Sequence, residues 1–342
     1  MRRRGVLLRF RAVTAASLAL ALGATLLAAR PVEAATGDQM LPNLKATPAT
    51  NIAFGSGTDL RFSTLSWNAG TGPLELRAGA IDTGTGKQDV WQRIYLEGGG
   101  STDRLAGTFV WHVAHNHFHF EDYARYTLQP VNAPGASSLY GQKTTFCVMD
   151  TTAKNLSLPG APNASTYSSC GNTYQGMSVG WGDMYGSSLT GQSIDMAGMP
   201  NGDYRLSIEV DPLNHLSEAT RTDNSSCVLL RISVTARTVT VLNPNSCDPP
   251  ASVTSMTPSS VAVNGSINVT ITGTSLTSGL AVSFANGNGP APTVSNVVYV
   301  DATTITATVT VAPSRKKTRV TDPVWDLRVG TATLLNALTV TP

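Results

Sequence analysis

The feature that most constrains the fold is a succession of short runs rich in Val, Thr and Ile, separated by Gly, Asn, Ser or Pro. The runs in the last third of the chain lie at 266–273, 280–285, 294–300, 304–311, 325–330 and 334–341. Comparable runs earlier in the chain lie at 61–67, 74–76, 90–95, 108–114, 123–128 and 205–210. Short runs bounded by turn residues are typical of strands in β-sandwiches, and long helical periodicity is absent. We therefore predict an all-β protein, with a mostly irregular stretch over 151–203.

A break in this pattern predicts two domains. Residues 243–250 contain three prolines among turn-forming side chains, which neither a strand nor a helix could continue through. We place the first domain over 36–247 and the second over 251–342, each as a β-sandwich. Within the second, the short Val/Thr motifs at 253–260, 269–274 and 303–308 resemble the IPT/TIG immunoglobulin-like family.

The first 35 residues are predicted to be an export signal that is removed from the mature protein. Arg2, Arg3 and Arg4 precede an apolar run over 12–29, and a small-x-small type of cleavage site follows at 32–34. A membrane anchor is the less favoured alternative, and no other stretch approaches the ~18 apolar residues of a spanning helix. Sec and twin-arginine export are both compatible with these arginines. We expect a secreted, extracellular protein without a membrane span.

Removing the signal changes the charge of the protein. The full chain has 24 basic and 22 acidic residues, and six of the arginines but only one glutamate lie in 1–34. The mature chain would therefore carry a formal charge of −3 rather than +2. Charged residues make up 13% of the chain, which is well below the globular average of about 25%. These values argue against disorder and against a nucleic-acid-binding surface.

Four cysteines predict two disulfide bonds, since an even number in an exported chain is typical of a disulfide framework. Of the three pairings that are open, we favour the sequence neighbours, Cys147 with Cys170 and Cys227 with Cys247. The absence of a Cys-x-x-Cys spacing argues against a cysteine-based zinc or redox site.

Four of the five histidines lie within eight residues of one another, which predicts a metal site. On a strand, His115, His117 and His119 would share one face, whereas His112 would point away unless a bulge intervenes. Three imidazoles on one face could hold a metal ion and leave positions for water or substrate. Neutral imidazoles suit zinc or copper, and the general affinity order favours copper.

The residues alone leave two enzymatic functions open for this cluster. A zinc hydrolase would lower the pKa of a bound water and would need a carboxylate base, for which Glu121 or Asp122 is adjacent in sequence. A copper redox enzyme is the second, and the lack of a nearby thiolate argues against a blue-copper electron carrier. A non-enzymatic copper-binding or adhesive module is the alternative from a different functional class.

The residues around the histidines resemble the copper-binding motif of the lysyl oxidase family. Trp111, His112, His115, His117 and His119 match that motif. Further family motifs match, in the family's order, at 60–62, 67–70, 141–147, 175–180, 182–186, 202–206 and 210–224. The combined pattern covers about 40–230 and resembles an exported, bacterial member of the family.

The resemblance implies a copper- and quinone-dependent primary amine oxidase. His115, His117 and His119 match the family's copper ligands, while Lys143 and Tyr185 match the side chains that form its lysine tyrosylquinone. This activity would convert a peptidyl lysine or a small primary amine to an aldehyde, consuming O2 and releasing H2O2 and NH3. The quinone would act by covalent catalysis on the substrate amine.

Two further functional residues or sites are predicted in the same domain. Asp183, two residues before Tyr185, is our candidate for the base that removes the substrate α-proton. The resemblance also implies a calcium site at Glu218, Asp223, Asn224, Asn43 and Leu44. Asn43 and Thr220 replace carboxylates of the animal enzymes, which favours weaker calcium binding or none.

The second domain contains no predicted catalytic cluster. Its basic run over 315–319 is predicted to be a solvated loop or a contact for an anionic cell-wall polymer or an acidic substrate.

Overall fold

The computed structural model describes residues 38–113, 115–131, 137–313 and 324–342, which form 26 β-strands and no helix. The prediction of an all-β fold is therefore confirmed. No helix long and apolar enough to cross a membrane was found in the described part of the chain. The predicted export signal and the basic run over 315–319 lie outside the described residues.

Eighteen strands lie between residues 39 and 243. They are β1 (Gln39–Met40), β2 (Leu44–Ala46), β3 (Thr50–Phe54), β4 (Asp59–Asn68), β5 (Leu74–Ile81), β6 (Lys87–Leu96), β7 (Ser101–His112), β8 (His117–Glu121), β9 (Ala124–Pro130), β10 (Leu139–Tyr140), β11 (Thr145–Phe146), β12 (Thr152–Ala153), β13 (Tyr174–Met177), β14 (Trp181–Tyr185), β15 (Ser193–Asp195), β16 (Gly202–Val210), β17 (Ser225–Ser233) and β18 (Thr238–Asn243).

These strands form three antiparallel sheets. The first has seven strands in the order β11-β8-β7-β6-β5-β13, with β1 paired to β6. The second has the order β10-β9-β16-β17-β18, and the third has the order β12-β14-β4-β15, with β2 and β3 also paired to β4. Apolar side chains from all three sheets form one buried cluster, in which Phe62, Phe109, Phe120 and Tyr204 are among the largest members.

Eight strands follow between residues 252 and 341. They are β19 (Ser252–Thr257), β20 (Ser260–Ala262), β21 (Ser266–Thr274), β22 (Val282–Ala285), β23 (Thr293–Asp301), β24 (Thr304–Thr310), β25 (Val324–Val329) and β26 (Ala332–Thr341). They form two four-stranded sheets around a second buried apolar cluster, which includes Ile271, Val309, Leu327 and Leu338. The domain boundary near residue 248 and the likeness to the IPT/TIG family stay predictions.

Both favoured disulfide bonds are present, so the predicted pairing is confirmed. Cys147 is bonded to Cys170 and Cys227 to Cys247, with sequence separations of 23 and 20 residues. Closing loops of this length restricts the unfolded chain, which stabilises a folded domain by roughly 3 kcal/mol per bond. The first bond anchors the segment that directly follows β11.

The stretch predicted to be irregular contains only short strands, but one of them is central to the site. β14 pairs antiparallel with the long strand β4, so that Asp183 lies opposite Ser66 and Tyr185 opposite Thr64. Because alternate residues of a strand share a face, Asp183 and Tyr185 lie on the same side of this sheet.

Candidate active site

The histidine cluster is built on the hairpin formed by β7 and β8. His112 pairs with His117 and Val110 with His119 across this hairpin. The backbone carbonyl of His112 accepts hydrogen bonds from the amides of His115 and Asn116, at 3.1 and 2.9 Å, which closes the turn. Directly opposed residues of an antiparallel pair share a face, so His112, His117 and His119 project from the same side.

This register corrects two expectations. His115 lies in the turn rather than on a strand with His117 and His119. His112 does not point away from the cluster, because its ring stacks on the rings of His115 and His119 with centroid distances of 4.2 and 4.6 Å. The expectation assumed one continuous strand, but the chain reverses direction after His112. Cross-strand pairing therefore decides which face each ring occupies.

His119 is the centre of the cluster. Its Nε2 atom lies 2.8 Å from Nε2 of His117 and 3.4 Å from Nδ1 of His115. Ring nitrogens of His112, His115 and His119 all lie within 4.8 Å of one another. The other ring nitrogen of His119, Nδ1, lies 3.0 Å from Oγ1 of Thr145. Three imidazoles thus surround the inward-facing nitrogen of a fourth.

The cluster fits a metal ion by its chemistry. His119 is only 1% exposed, and its burial, with a smaller effect from the Lys143 ammonium, lowers its pKa to about 3. Burial also lowers the pKa values of His115 and His117. Nδ1 of His112 is buried and has no hydrogen-bond partner among the described residues. Neutral, converging imidazoles are the form that binds zinc or copper.

Lys143 and Tyr185 are neighbours in the structure although they are distant in sequence. Lys143 follows β10 and is only 7% exposed. Its Nζ lies 5.0 Å from the ring centroid of Tyr185 and 5.2 Å from that of Phe146. The Tyr185 hydroxyl donates a hydrogen bond to the backbone carbonyl of Cys147 at 2.8 Å. The amine and the phenol ring are thereby held against each other.

The electrostatics of this pair favour a reactive amine. Burial lowers the pKa of Lys143, and the nearby Asp183 carboxyl opposes this shift in part. A lowered pKa increases the fraction of the neutral, nucleophilic amine. Burial, with a smaller effect from Asp183, raises the pKa of Tyr185 well above its usual value. The Lys143 ammonium also contributes to the lowered pKa values of His115, His117 and His119, so it lies within electrostatic reach of the cluster.

Asp183 is a buried carboxyl with an unused oxygen. The residue is 2% exposed, and burial raises its pKa well above the usual range. Its Oδ1 lies 3.4 Å from the Thr151 hydroxyl, whereas Oδ2 has no partner among the described residues. Asp183 and Tyr185 both line a cavity of about 10 Å³, which is the size of one water molecule. The Asp183 carboxyl therefore lies near the Lys143–Tyr185 pair, and its Oδ2 atom is not engaged in a hydrogen bond with any described residue.

The two carboxylates that could serve as the base of a zinc hydrolase, Glu121 and Asp122, lie in different environments. Glu121 forms a salt bridge with Lys87 at 2.8 Å and also accepts a hydrogen bond from Thr108. Asp122 is exposed in the turn after β8. Because Glu121 is neutralised by Lys87, it is a poor general base, and this weakens the hydrolase alternative.

The residues predicted to bind calcium lie together in a second cluster. The amide of Leu44 and the side-chain amide of Asn224 donate to Glu218 at 2.8 and 2.7 Å. Nδ2 of Asn43 donates to Asp223 at 3.2 Å. One side-chain oxygen each of Asn43, Asp223 and Asn224 is buried without a partner among the described residues. Unpaired oxygens of this kind fit a hard cation such as calcium.

Protein cations already neutralise part of this second cluster. Nζ of Lys45 lies 3.0 Å from Asp223, and Nη1 of Arg221 lies 3.4 Å from Glu218. Burial raises the pKa of Glu218 to about 7, which reduces its negative charge near neutral pH. The Thr220 hydroxyl pairs with Thr222 instead of contributing to the cluster. These features support the expectation of weak calcium binding.

We expect 10 mM calcium, in the range that loads weak extracellular sites, to raise the melting temperature by roughly 2–4 °C. The same concentration of magnesium should produce a smaller shift in the melting temperature. Calcium is the larger ion and accepts more oxygen ligands in a more flexible geometry than magnesium does. Asp223→Ala should abolish the calcium response. A wild-type melting temperature that calcium does not change would contradict the site.

Comparison with known proteins supports the lysyl oxidase resemblance over part of the chain. Residues 102–243, which include the histidine cluster, Lys143 and Tyr185, match the model of the lysyl oxidase family. Lysyl oxidase homolog 1 of Homo sapiens is 31% identical over 142 residues, which is 41% of this chain and 23% of that protein. Lysyl oxidase homolog 3B of Danio rerio is 31% identical over 120 residues, and lysyl oxidase homolog 2 of Bos taurus is 28% identical over 117 residues.

The last two matches each cover 34% of this chain and 14% of the relative. The chain thus spans less than a quarter of the length of these relatives. The matches identify a lysyl oxidase-like region within an all-β protein and support a lysyl oxidase-like function in general terms.

Sequence reasoning missed two contributors to the site. His112 was present in the motif, but its position in the cluster depends on the hairpin register. Thr145 was not singled out, and its only sequence signal is its location between Lys143 and Cys147.

Proposed function

We propose that this protein is an exported, copper-dependent primary amine oxidase whose organic cofactor is formed from Lys143 and Tyr185. The observation that carries the proposal is the 5.0 Å distance between Nζ of Lys143 and the Tyr185 ring. Desolvating an ammonium group costs free energy, and although the contacts with Tyr185 and Phe146 are attractive, burial still lowers the pKa of Lys143. A buried lysine with a shifted pKa beside a tyrosine is a candidate functional group. Its position within electrostatic reach of the histidines adds support.

Copper and the lysine tyrosylquinone would together supply a two-electron oxidation, in which a primary amine, O2 and water yield an aldehyde, NH3 and H2O2. His115, His117 and His119 would hold the copper ion by the family match, with Nε2 of His117 2.8 Å from Nε2 of His119. His112, whose ring nitrogen lies within 4.8 Å of those of His115 and His119, offers a fourth ligand. Glu121, paired with Lys87, has no part in this scheme.

The protein orients the reacting side chains by packing and hydrogen bonding. The Tyr185 ring packs edge-on against Phe146, with centroids 4.9 Å apart and an interplanar angle of 83°. The bond from its hydroxyl to the Cys147 carbonyl helps to hold the ring beneath the Lys143 ammonium, which lies 5.0 Å from the ring centroid. Lys143 is only 7% exposed, so its side chain is largely shielded from bulk water. This burial supports nucleophilic behaviour of the amine.

Asp183 is the residue we propose to accept the substrate α-proton. A carboxylate whose pKa is raised by burial is a stronger base once it is ionised, and Asp183 has such a pKa. Its Oδ2 has no competing hydrogen-bond donor among the described residues. The shared strand face places this oxygen on the side of the sheet that carries Tyr185.

Asp183→Asn is expected to form the crosslink but to lower amine turnover by about 10²- to 10⁴-fold, because the amide cannot accept the proton. The exposed neighbour Met184 supplies the matched control, and Met184→Leu should leave turnover unchanged. Full turnover by Asp183→Asn would contradict the base role.

The same substitution has an independent effect on stability. Since burial raises the pKa of Asp183, ionising this group in the folded state costs stability as the pH rises. The melting temperature of Asp183→Asn relative to the wild type should therefore increase with pH.

The proposal is tested on protein matured with copper in air, alongside a sample kept anaerobic. A redox-cycling stain detects the quinone, and peptide mapping detects a covalent bond between Lys143 and Tyr185. A stained, crosslinked product only in the aerobic sample is expected. Copper bound to protein with separate, unmodified Lys143 and Tyr185 peptides would instead identify a metal-binding module.

The remaining parts of the proposal concern location and substrate. We infer export through residues 1–35, catalysis by the domain over 36–247, and an accessory role for 251–342, including contact with an anionic cell-wall polymer. The two disulfide bonds are consistent with an oxidising compartment. The substrate class is a primary amine, either a peptidyl lysine or a small amine, and peroxide release in the presence of each amine distinguishes the two.

A further inference from the structure

Three consecutive residues, beginning two positions after Lys143, contact different parts of the candidate site. Oγ1 of Thr145 lies 3.0 Å from Nδ1 of His119. The ring of Phe146 contacts both the Tyr185 ring and the Lys143 ammonium, at 4.9 and 5.2 Å. The carbonyl of Cys147 accepts the hydrogen bond from the Tyr185 hydroxyl. The segment Thr145–Cys147 is therefore common to the histidine cluster and the Lys143–Tyr185 pair.

This segment is itself attached to the strand that carries the histidines. Phe146 pairs with Phe120 of β8. The buried side chain of Gln175 accepts from the amide of Val148 at 3.0 Å and donates to the carbonyl of Phe118 at 2.8 Å. The disulfide bond from Cys147 to Cys170 ties the segment to the loop that precedes β13. Thr145 is thus held at a defined position relative to His119.

Whether Nε2 of His119 can bind a metal ion depends on which ring nitrogen carries the proton. A neutral imidazole has one N–H group, and the hydrogen bond at one nitrogen decides whether the other presents a lone pair. Nε2 of His119 is the atom that faces His117 and His115, at 2.8 and 3.4 Å. It can bind a metal ion only if the proton is on Nδ1, beside Thr145.

We propose that Thr145 is a positioning residue for the metal site. Its Oγ1 accepts a hydrogen bond from Nδ1–H of His119, which leaves the lone pair of Nε2 directed at the other histidines. The metal-binding part of this inference rests on the proposed function, whereas the tautomer of His119 does not. Because Thr145 is continuous with Phe146 and Cys147, one segment sets both the histidine and the Lys143–Tyr185 geometry.

Thr145→Val and Thr145→Ser test this inference as a matched pair, since valine replaces the hydroxyl by a methyl group and serine keeps it. The first readout is ¹⁵N NMR of histidine-labelled, metal-free protein near neutral pH, which reports the protonated nitrogen of each of the five histidines. The second is the affinity for Cu²⁺ and for Zn²⁺, measured by competition with a chelator.

We expect His119 of the wild type and of Thr145→Ser to be protonated on Nδ1. In Thr145→Val this preference should be lost, and the affinity for both metals should fall about 10- to 100-fold. Thr145→Ser should restore most of the wild-type affinity. A purely structural role of Thr145 would change the melting temperature without changing the tautomer.

Protonation of wild-type His119 on Nε2 would overturn the inference, as would a Thr145→Val protein with the wild-type tautomer and affinity. If Thr145→Val does not fold, the wild-type tautomer decides. Failure of the wild type to bind either metal would overturn the proposed function and the metal-positioning role together. The tautomer measured without metal would still show whether Thr145 orients His119.

Discussion

Tyr185→Phe is expected to reduce amine-dependent peroxide release to background while leaving the fold and the copper content intact. Phenylalanine lacks the hydroxyl oxygen from which a quinone ring is made, so the crosslinked cofactor cannot form. The structural cost is limited to the hydrogen bond with the Cys147 carbonyl, which contributes about 1 kcal/mol. Since enzymes accelerate reactions by at least about 10⁶-fold, loss of the reacting group should remove all measurable turnover.

The measurement combines peroxide release, quinone staining and copper analysis on the same preparations. Tyr174→Phe is the matched control, because Tyr174 is 48% exposed and lies outside the site, and it should retain full activity. Lys143→Arg should behave like Tyr185→Phe, since the guanidinium stays charged and cannot act as the amine nucleophile. Amine-dependent peroxide release by purified Tyr185→Phe would contradict the proposed cofactor.

His119→Ala is expected to lower copper affinity by more than 100-fold, well beyond the about 10- to 100-fold effect of losing an outer hydrogen-bond partner. His119 is the most buried of the four clustered histidines and contacts the other three rings. Its removal eliminates the nitrogen on which the others converge. Without copper, the oxidation that forms the crosslink should also fail.

Copper content after gel filtration, chelator competition and peptide mapping provide the readouts for this variant. His215 is the only histidine outside the cluster, so His215→Ala is the matched control and should bind copper like the wild type. A His119→Ala protein that retains stoichiometric copper, or that still contains the Lys143–Tyr185 crosslink, would contradict the assignment of the metal site.

Much of the architecture could be predicted from local sequence patterns. Runs such as 61–67 and 304–311 are strand-like segments bounded by turn-forming residues. In the structure they correspond to β4 and β24, with small changes at their ends. The disulfide pairing was also predicted, because neighbouring cysteines close short loops at the smallest entropic cost. These properties depend on residues that are close in the chain.

The candidate functional residues differed in how far the sequence alone could identify them. His115, His117 and His119 could be singled out by their spacing alone, whereas Lys143 and Tyr185 required the family resemblance. Each of the latter two, taken alone, is an ordinary residue type in a polar segment, and nothing local distinguishes it from a surface lysine or a packed tyrosine. Their 5.0 Å contact arises only when β14 pairs with β4 and the loop containing Lys143 lies beside it.

The sequence by itself determined the all-β class, the covalent links and the presence of a histidine cluster, since these follow from local propensity, from cysteine number and from composition. Only the tertiary structure decided that His112 joins the cluster, that Thr145 contacts His119, and that Lys45 neutralises Asp223. Each of these contacts depends on strand register or on the approach of segments distant in sequence. A shift of one residue in the pairing of β7 with β8 would put His112 and His117 on opposite faces, so the cluster depends on the turn geometry that sets this register.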